Sequence, residues 1–163
     1  MKRNATLTIS LAALLLVIFT GFNFFKFRAN VLPFRYSAFS RYELSRHDAS
    51  RIEFAVTQDL RFIDSDTGYL SLNGQVTVDD KITGLNRRIA LSQGRKIDSD
   101  TYRYKITKMI TSTNDSTPDD VFNILLAEIT LDPNYLQLDF TRLNGNTYLI
   151  SGPLSSLFTC QRY

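Results

Sequence analysis

The chain has 163 residues, a formal net charge of +3 and an isoelectric point near 9.1, with one histidine and one cysteine. The lone cysteine excludes an internal disulfide framework, and two Cys/His residues in all are too few for a Cys/His zinc centre. Residues 1–51 hold eight basic and two acidic side chains and residues 52–163 hold eleven basic and fourteen acidic ones, so the basic average is no argument for direct nucleic-acid binding.

Residues 1–4 form a short basic tail. Between Ala5 and Phe25 no residue is ionisable, and Leu11 to Phe19 is almost pure Leu, Ala, Val, Ile and Phe. A helix of about twenty-one residues reaches roughly 31 Å, the thickness of a bilayer's hydrocarbon core. A transmembrane helix over 5–25 is therefore expected. Its exit, Gly21-Phe22-Asn23-Phe24-Phe25-Lys26, is bulky where a signal peptidase needs small residues, so an uncleaved anchor is favoured over a cleaved leader. Lys2 and Arg3 favour a cytoplasmic N-terminus, but Lys26, Arg28, Arg35 and Arg41 argue the other way, so charge alone leaves the orientation open.

Residues 26–50 read as a basic, aromatic juxtamembrane connector, suited to anionic head groups. Pro33 interrupts any helix continuing out of the membrane. A short helix is expected over Ser37 to His47, with Phe39 and Tyr42 on one face.

Residues 51–163 read as one β-rich domain. Ile52, Phe54 and Val56 alternate with polar partners, as do Leu70, Leu72, Val76 and Val78. Asp64-Ser65-Asp66-Thr67-Gly68 supplies the turn between these strands. A third strand is expected around Arg88 to Ser92. A fourth carries Tyr102, Tyr104, Ile106 and Ile110 on one side, with a bulge or an edge position implied by Arg103, Lys105 and Lys108. Then the period changes. Thr117 reads as an N-cap, Pro118 as the first helical residue, and Asp119 and Asp120 sit at the positive end of the dipole. Val121, Ile124, Leu125 and Glu128 follow at helical spacing, and Asp132-Pro133-Asn134 ends the helix. Leu136, Leu138 and Phe140 mark another strand. Asn144-Gly145-Asn146 turns it back into Tyr148 and Ile150. A last edge strand is expected over Leu154 to Phe158. The fold class is thus α+β: one N-terminal transmembrane helix, then about six antiparallel strands in a curved sheet or half-barrel with one packed helix.

The catalytic inventory is thin, and neither an enzyme, a cofactor nor a metal site is expected. His47 and Cys160 lie more than a hundred residues apart with nothing local to pair them. Asp66-Thr67-Gly68 spells the aspartic-protease triplet but lacks the apolar strand before it, and a hairpin turn is the better reading. The same stretch lacks the glycine position and closing glutamate of a calcium loop. Two readings stay open for the apolar residues Leu70, Leu72, Val76, Val78, Tyr102, Tyr104 and Ile106. They form an ordinary core under the helix, or a concave face that a partner completes or an apolar ligand enters. Cys160 is either a small residue in a terminal strand or a thiol that pairs with another chain.

The layout (a very short basic tail, one N-terminal span, a small strand-rich domain and a unique late cysteine, Cys160) resembles the accessory proteins of ToxR-type membrane regulators, the ToxS, VtrC and MyfF/PsaF group. The resemblance covers the whole chain as a layout and rests on no sharp motif. It implies an inner-membrane, single-pass protein with a cytoplasmic N-terminus and a periplasmic domain. It also implies a heterodimer with a bitopic winged-helix transcriptional regulator and control of virulence or fimbrial genes. A lipocalin-like barrel shared with that partner, accepting an apolar ligand such as a bile salt or responding to pH, belongs to the same implication. The alternative is a membrane-anchored scaffold or assembly subunit of a pilus or secretion system.

Overall fold

The computed structural model describes residues 35–45, 51–145, 147–154 and 156–161. The expected span at 5–25, most of the connector before Arg35, and His47 lie outside the described residues. No helix among the described residues is long and apolar enough to cross a membrane. The compact unit that holds them begins at Pro33, inside the segment read as connector.

Eight strands and one helix follow one another: β1 (Arg35–Ser45), β2 (Arg51–Phe62), β3 (Gly68–Val78), β4 (Lys81–Lys96), β5 (Thr101–Thr111), α1 (Asp119–Ile129), β6 (Tyr135–Asn144), β7 (Thr147–Ser151) and β8 (Ser156–Gln161). The strands form a single antiparallel meander in sequence order. The sheet curls until its first and last strands meet, and Ser40 Oγ of β1 donates to the Leu157 carbonyl of β8 at 3.3 Å. Among the described residues no backbone ladder runs from β8 back to β1, so the sheet is a half-barrel.

The two-residue period explains the concave face. Ile52, Phe54, Val56, Leu60 and Phe62 of β2 are all buried, as are Leu70, Leu72 and Val76 of β3 and Leu85, Ile89 and Leu91 of β4. Gly74 lies where any Cβ would strike the Ala55 carbonyl across the β2–β3 pair, so only glycine allows the close approach there. The β3–β4 hairpin is tight, with Asp79 and Asp80 both in the left-handed region at φ 44° and 68°. The five buried residues of α1, Val121, Phe122, Leu125, Leu126 and Ile129, join the same core cluster. The helix therefore fills the concavity of the sheet.

Three expectations need correction. Ser37 to His47 is not a helix: β1 occupies Arg35–Ser45 and pairs residue for residue with β2, from Arg35↔Arg61 to Ser45↔Arg51. Tyr36, Ala38, Ser40, Tyr42 and Leu44 point inward while Phe39 is exposed, a two-residue period that the edge of β2 enforces over weak local helix spacing. Eight strands are present among the described residues, not about six: β1 was not expected, and the last edge strand, expected over Leu154 to Phe158, runs over Ser156–Gln161. Thr117 is not the N-cap. The helix starts at Asp119 after Pro118, with no side-chain cap, and the Thr117 hydroxyl donates instead to the Gly84 carbonyl of β4 at 2.9 Å.

Candidate functional site

The seven apolar residues singled out in the sequence all lie on the concave side of the sheet. Leu70, Leu72, Val76 and Tyr104 are buried in the core, and Val78, Tyr102 and Ile106 pack against it. Tyr102 and Tyr104 belong to an aromatic group at one end. The Tyr104 ring stacks on Phe62 at 4.9 Å, and Tyr102 meets Phe140 edge-on at 5.5 Å. Burial, with smaller contributions from Tyr102, Asp64 and Asp66, pushes the Tyr104 hydroxyl up to about 12. Cys160 sits in β8 opposite Tyr148 of β7; its thiol lies outside what the structure describes.

Two polar groups interrupt the apolar concavity. The first is Gln58, fully buried in the inward row of β2 between Val56 and Leu60. Its Nε2 donates to Ser40 Oγ at 3.0 Å and to Tyr42 Oη at 2.6 Å. With the Ser40–Leu157 bond this forms a chain that ties β2, β1 and β8 together across the seam. Burial raises the Tyr42 hydroxyl above its ordinary value. The bonds to Gln58 and Ser40 oppose that rise, and the Glu128 charge on α1 adds to it.

The second is Arg87, in the inward row of β4 between Leu85 and Ile89, with a relative exposure of 4%. Its Nε and Nη2 reach Asp115 Oδ2 and Oδ1, each at 3.2 Å, and its Nη1 reaches Asp119 Oδ1 at 2.7 Å. A further bond runs from Nη2 to the Thr117 carbonyl. The guanidinium lies 4.4 Å over the Phe122 ring. Burial by itself would lower the Arg87 value, but the two carboxylates outweigh it and hold the group charged. Asp115 also accepts the Asn86 and Thr117 amides, at 2.7 and 3.1 Å. Arg87 thus fastens the segment that leads into α1 onto the sheet. Four guanidinium contacts, to Asp115, Asp119 and the Thr117 carbonyl, are engaged in holding structure, which is a packing role.

The tempting triplet is a turn. Asp64 Oδ1 accepts the amides of Asp66 and Thr67 at 2.8 and 2.6 Å, and the Asp66 carbonyl accepts Gly94 N–H at 3.0 Å. Among the described residues no group of three or more His, Cys, Asp or Glu is placed to hold a metal ion.

The far half of β5 is an open edge within the sheet. β6 pairs with β5 only from Thr101 to Lys105, and Ile106 N–H is taken by the Asn134 carbonyl at 2.8 Å. Beyond that point Thr107–Thr111 pairs with β4 on one side and with no described strand on the other. Met109 and Ile110 stand 40% and 43% exposed there. Beside it, Asn123, Leu126, Ala127, Thr130, Leu131 and Pro133 line an open groove of about 320 Å³ on one flank of α1. Sequence reasoning missed Gln58 and Arg87, although each breaks an otherwise apolar alternation, and that break is a readable signal. The open edge carried no such signal beyond the irregular charges of β5.

A curled antiparallel half-barrel plugged by its own helix, with its buried polar groups tied into structure, defines a small non-repeating β module. A family model described as FidL-like putative membrane protein matches residues 74–160, just over half the chain, from the end of β3 to β8. The chain belongs to this FidL-like family. No curated protein matches it.

Proposed function

We propose that this chain is an inner-membrane accessory protein whose β module faces the periplasm and pairs with the periplasmic part of a bitopic, winged-helix regulator of the ToxR type. In this reading it stabilises the regulator and conditions expression of virulence or fimbrial genes. The observation that carries the reading is where the module's unmet bonding lies. Its concave face is spent on α1, and the Gln58 amide nitrogen and the Arg87 guanidinium are spent on holding the seam and the helix. Open backbone edge remains on β5 and along the β1–β8 seam. Exposed edges are costly to leave open and are natural joints between chains. The family's membrane character and the apolar run at 5–25 support the anchor. The layout that resembles the ToxS, VtrC and MyfF/PsaF group supports the choice of partner.

An apolar ligand, in this reading, competes with α1 for the concavity or uses the groove on its flank. The signal then acts by shifting the population of the joined form, as linkage requires. The test is purification of the full-length chain in mild detergent from its own cells, with mass spectrometry of what accompanies it. A one-to-one complex with a winged-helix membrane regulator is expected. Recovery of pilus or secretion subunits in its place overturns the reading in favour of a scaffold.

A further inference from the structure

The open edge of β5 has two chemically different sides. In the β4–β5 register Met109 stands opposite Ile89, and Ile106 opposite Leu91. Ile89 and Leu91 are core residues, and directly opposed residues share a face, so Met109 and Ile106 belong to the inner side. Lys105 stands opposite Ser92, Lys108 opposite Ala90 and Ile110 opposite Arg88, so these belong to the outer side. The register shift between Ala90 and Leu91 absorbs Thr107, whose hydroxyl donates to the Ala90 carbonyl at 3.2 Å. Pro133 of the groove is followed by Asn134, whose carbonyl holds Ile106 at the point where the edge opens, so the groove's end lies near the start of the open edge. Leu131 is 73% exposed there. Neither Lys105 nor Lys108 has an ion-pair partner among the described residues.

We propose that Thr107–Thr111 of β5 is a strand-addition site for an extended segment of a partner protein in which acidic and apolar residues alternate. An added strand completes the backbone bonds of β5. Its inward side chains meet Met109 and the Leu126, Ala127 and Leu131 side of the groove, so they are apolar. Its outward side chains meet Lys108 directly and reach Lys105 at the end where β6 stops, so they are acidic there, with Ile110 beyond. A second copy of this chain is a poor occupant. Antiparallel pairing of β5 with itself brings the lysines of the two copies near each other on the same face, and a lysine on an edge is a common device against self-pairing. The proposal adds the contact site and the chemistry of the partner to the accessory reading above; its test does not depend on the regulator.

The test uses the full-length chain in detergent and two fluorescent peptides, one alternating glutamate with valine and one alternating lysine with valine. Anisotropy is expected to show the glutamate peptide binding about tenfold more tightly or better. Amide exchange is expected to slow at Thr107–Thr111. The exposed double variant Lys105→Glu/Lys108→Glu, with unchanged circular dichroism, is expected to reverse the preference. Equal binding of both peptides, no binding, or protection confined to another strand overturns the site, even where the regulator co-purifies. A concentration-dependent dimer already protected at Thr107–Thr111 without peptide overturns the proposed occupant in favour of a second copy.

Discussion

Arg87 and Asp115 meet through two parallel contacts, Nε to Oδ2 and Nη2 to Oδ1, each at 3.2 Å, and both side chains are almost wholly shielded from water. Twenty-eight residues separate them in sequence, so the pair closes the loop between β4 and the entry to α1. Asp119, the other carboxylate on Arg87, is largely exposed and contributes less.

Removing Asp115 strands a buried cation. Asp115→Ala is expected to cost about 3–5 kcal/mol, because Arg87 keeps only the exposed Asp119 and a carbonyl. The Asn86 and Thr117 amides lose their acceptor in the same variant. Chemical denaturation of the wild-type chain and the variant reads the difference. A loss under about 1 kcal/mol would show that the pair is not what holds the helix entry.

Phe122 is fully buried beneath the Arg87 guanidinium. Phe122→Ala is expected to cost about 3–5 kcal/mol from lost burial and the cavity left behind. Because the two sites share Arg87, the double variant with Asp115→Ala is expected to fall short of the sum by about 0.5 kcal/mol or more. A double-mutant cycle measures that coupling directly.

Gly94 sits where a Cβ would strike the Ser65 carbonyl and the Tyr104 ring, beside Gln93 in the left-handed region at φ 52°. This is the bulge at which the β4–β5 register shifts. Gly94→Ala is expected to cost about 1–3 kcal/mol and to disturb the Phe62–Tyr104 stack. The near-ultraviolet circular dichroism of the tyrosines reports that stack.

At high pH the Tyr104 hydroxyl is expected to matter. Its folded value of about 12 lies above the ordinary 10.0, so its contribution to stability is complete below pH 10.0 and disappears as pH rises toward 12. Melting temperature across that window should fall less steeply in Tyr104→Phe than in wild type. Equal slopes would mean that the phenol is not shielded.

At low pH the sign is opposite. The amides of Asp66 and Thr67, followed by the Thr67 hydroxyl, hold the Asp64 carboxyl below its ordinary value of 3.8. Its contribution is present above pH 3.8 and is lost as pH falls through the lower folded value. Asp64→Asn should lose that contribution near neutral pH and converge with wild type in acid, giving a flatter acid limb in a melting-temperature profile.

Much of the β module was legible because burial on a curved sheet imposes a two-residue period. Ile52, Phe54, Val56, Leu70, Leu72, Val76, Leu136, Leu138 and Ile150 read directly as inward residues, and all are buried. The helix was legible from the change of period at Val121, and its start was misplaced by one residue because Thr117 is drawn to Gly84 of a distant strand. β1 was not legible as a strand. Its inward row, Tyr36, Ala38, Ser40, Tyr42 and Leu44, is polar in the middle, and that polarity makes sense only against Gln58 and Leu157.

What the sequence by itself determined is therefore the pattern of faces: an apolar run at 5–25, alternating strands after it and one amphipathic helix. What only the tertiary structure decided is who meets whom. The concavity is filled by the chain's own helix, Arg87 is neutralised by carboxylates about thirty residues downstream, and half of β5 pairs with β4 alone among the described strands. The reason is physical. Periodicity reports which side of an element is buried, a local property of the side chains. Pairing, closure and open edges depend on backbone hydrogen bonds, which every residue but proline offers alike, so the sequence carries little record of where they are made.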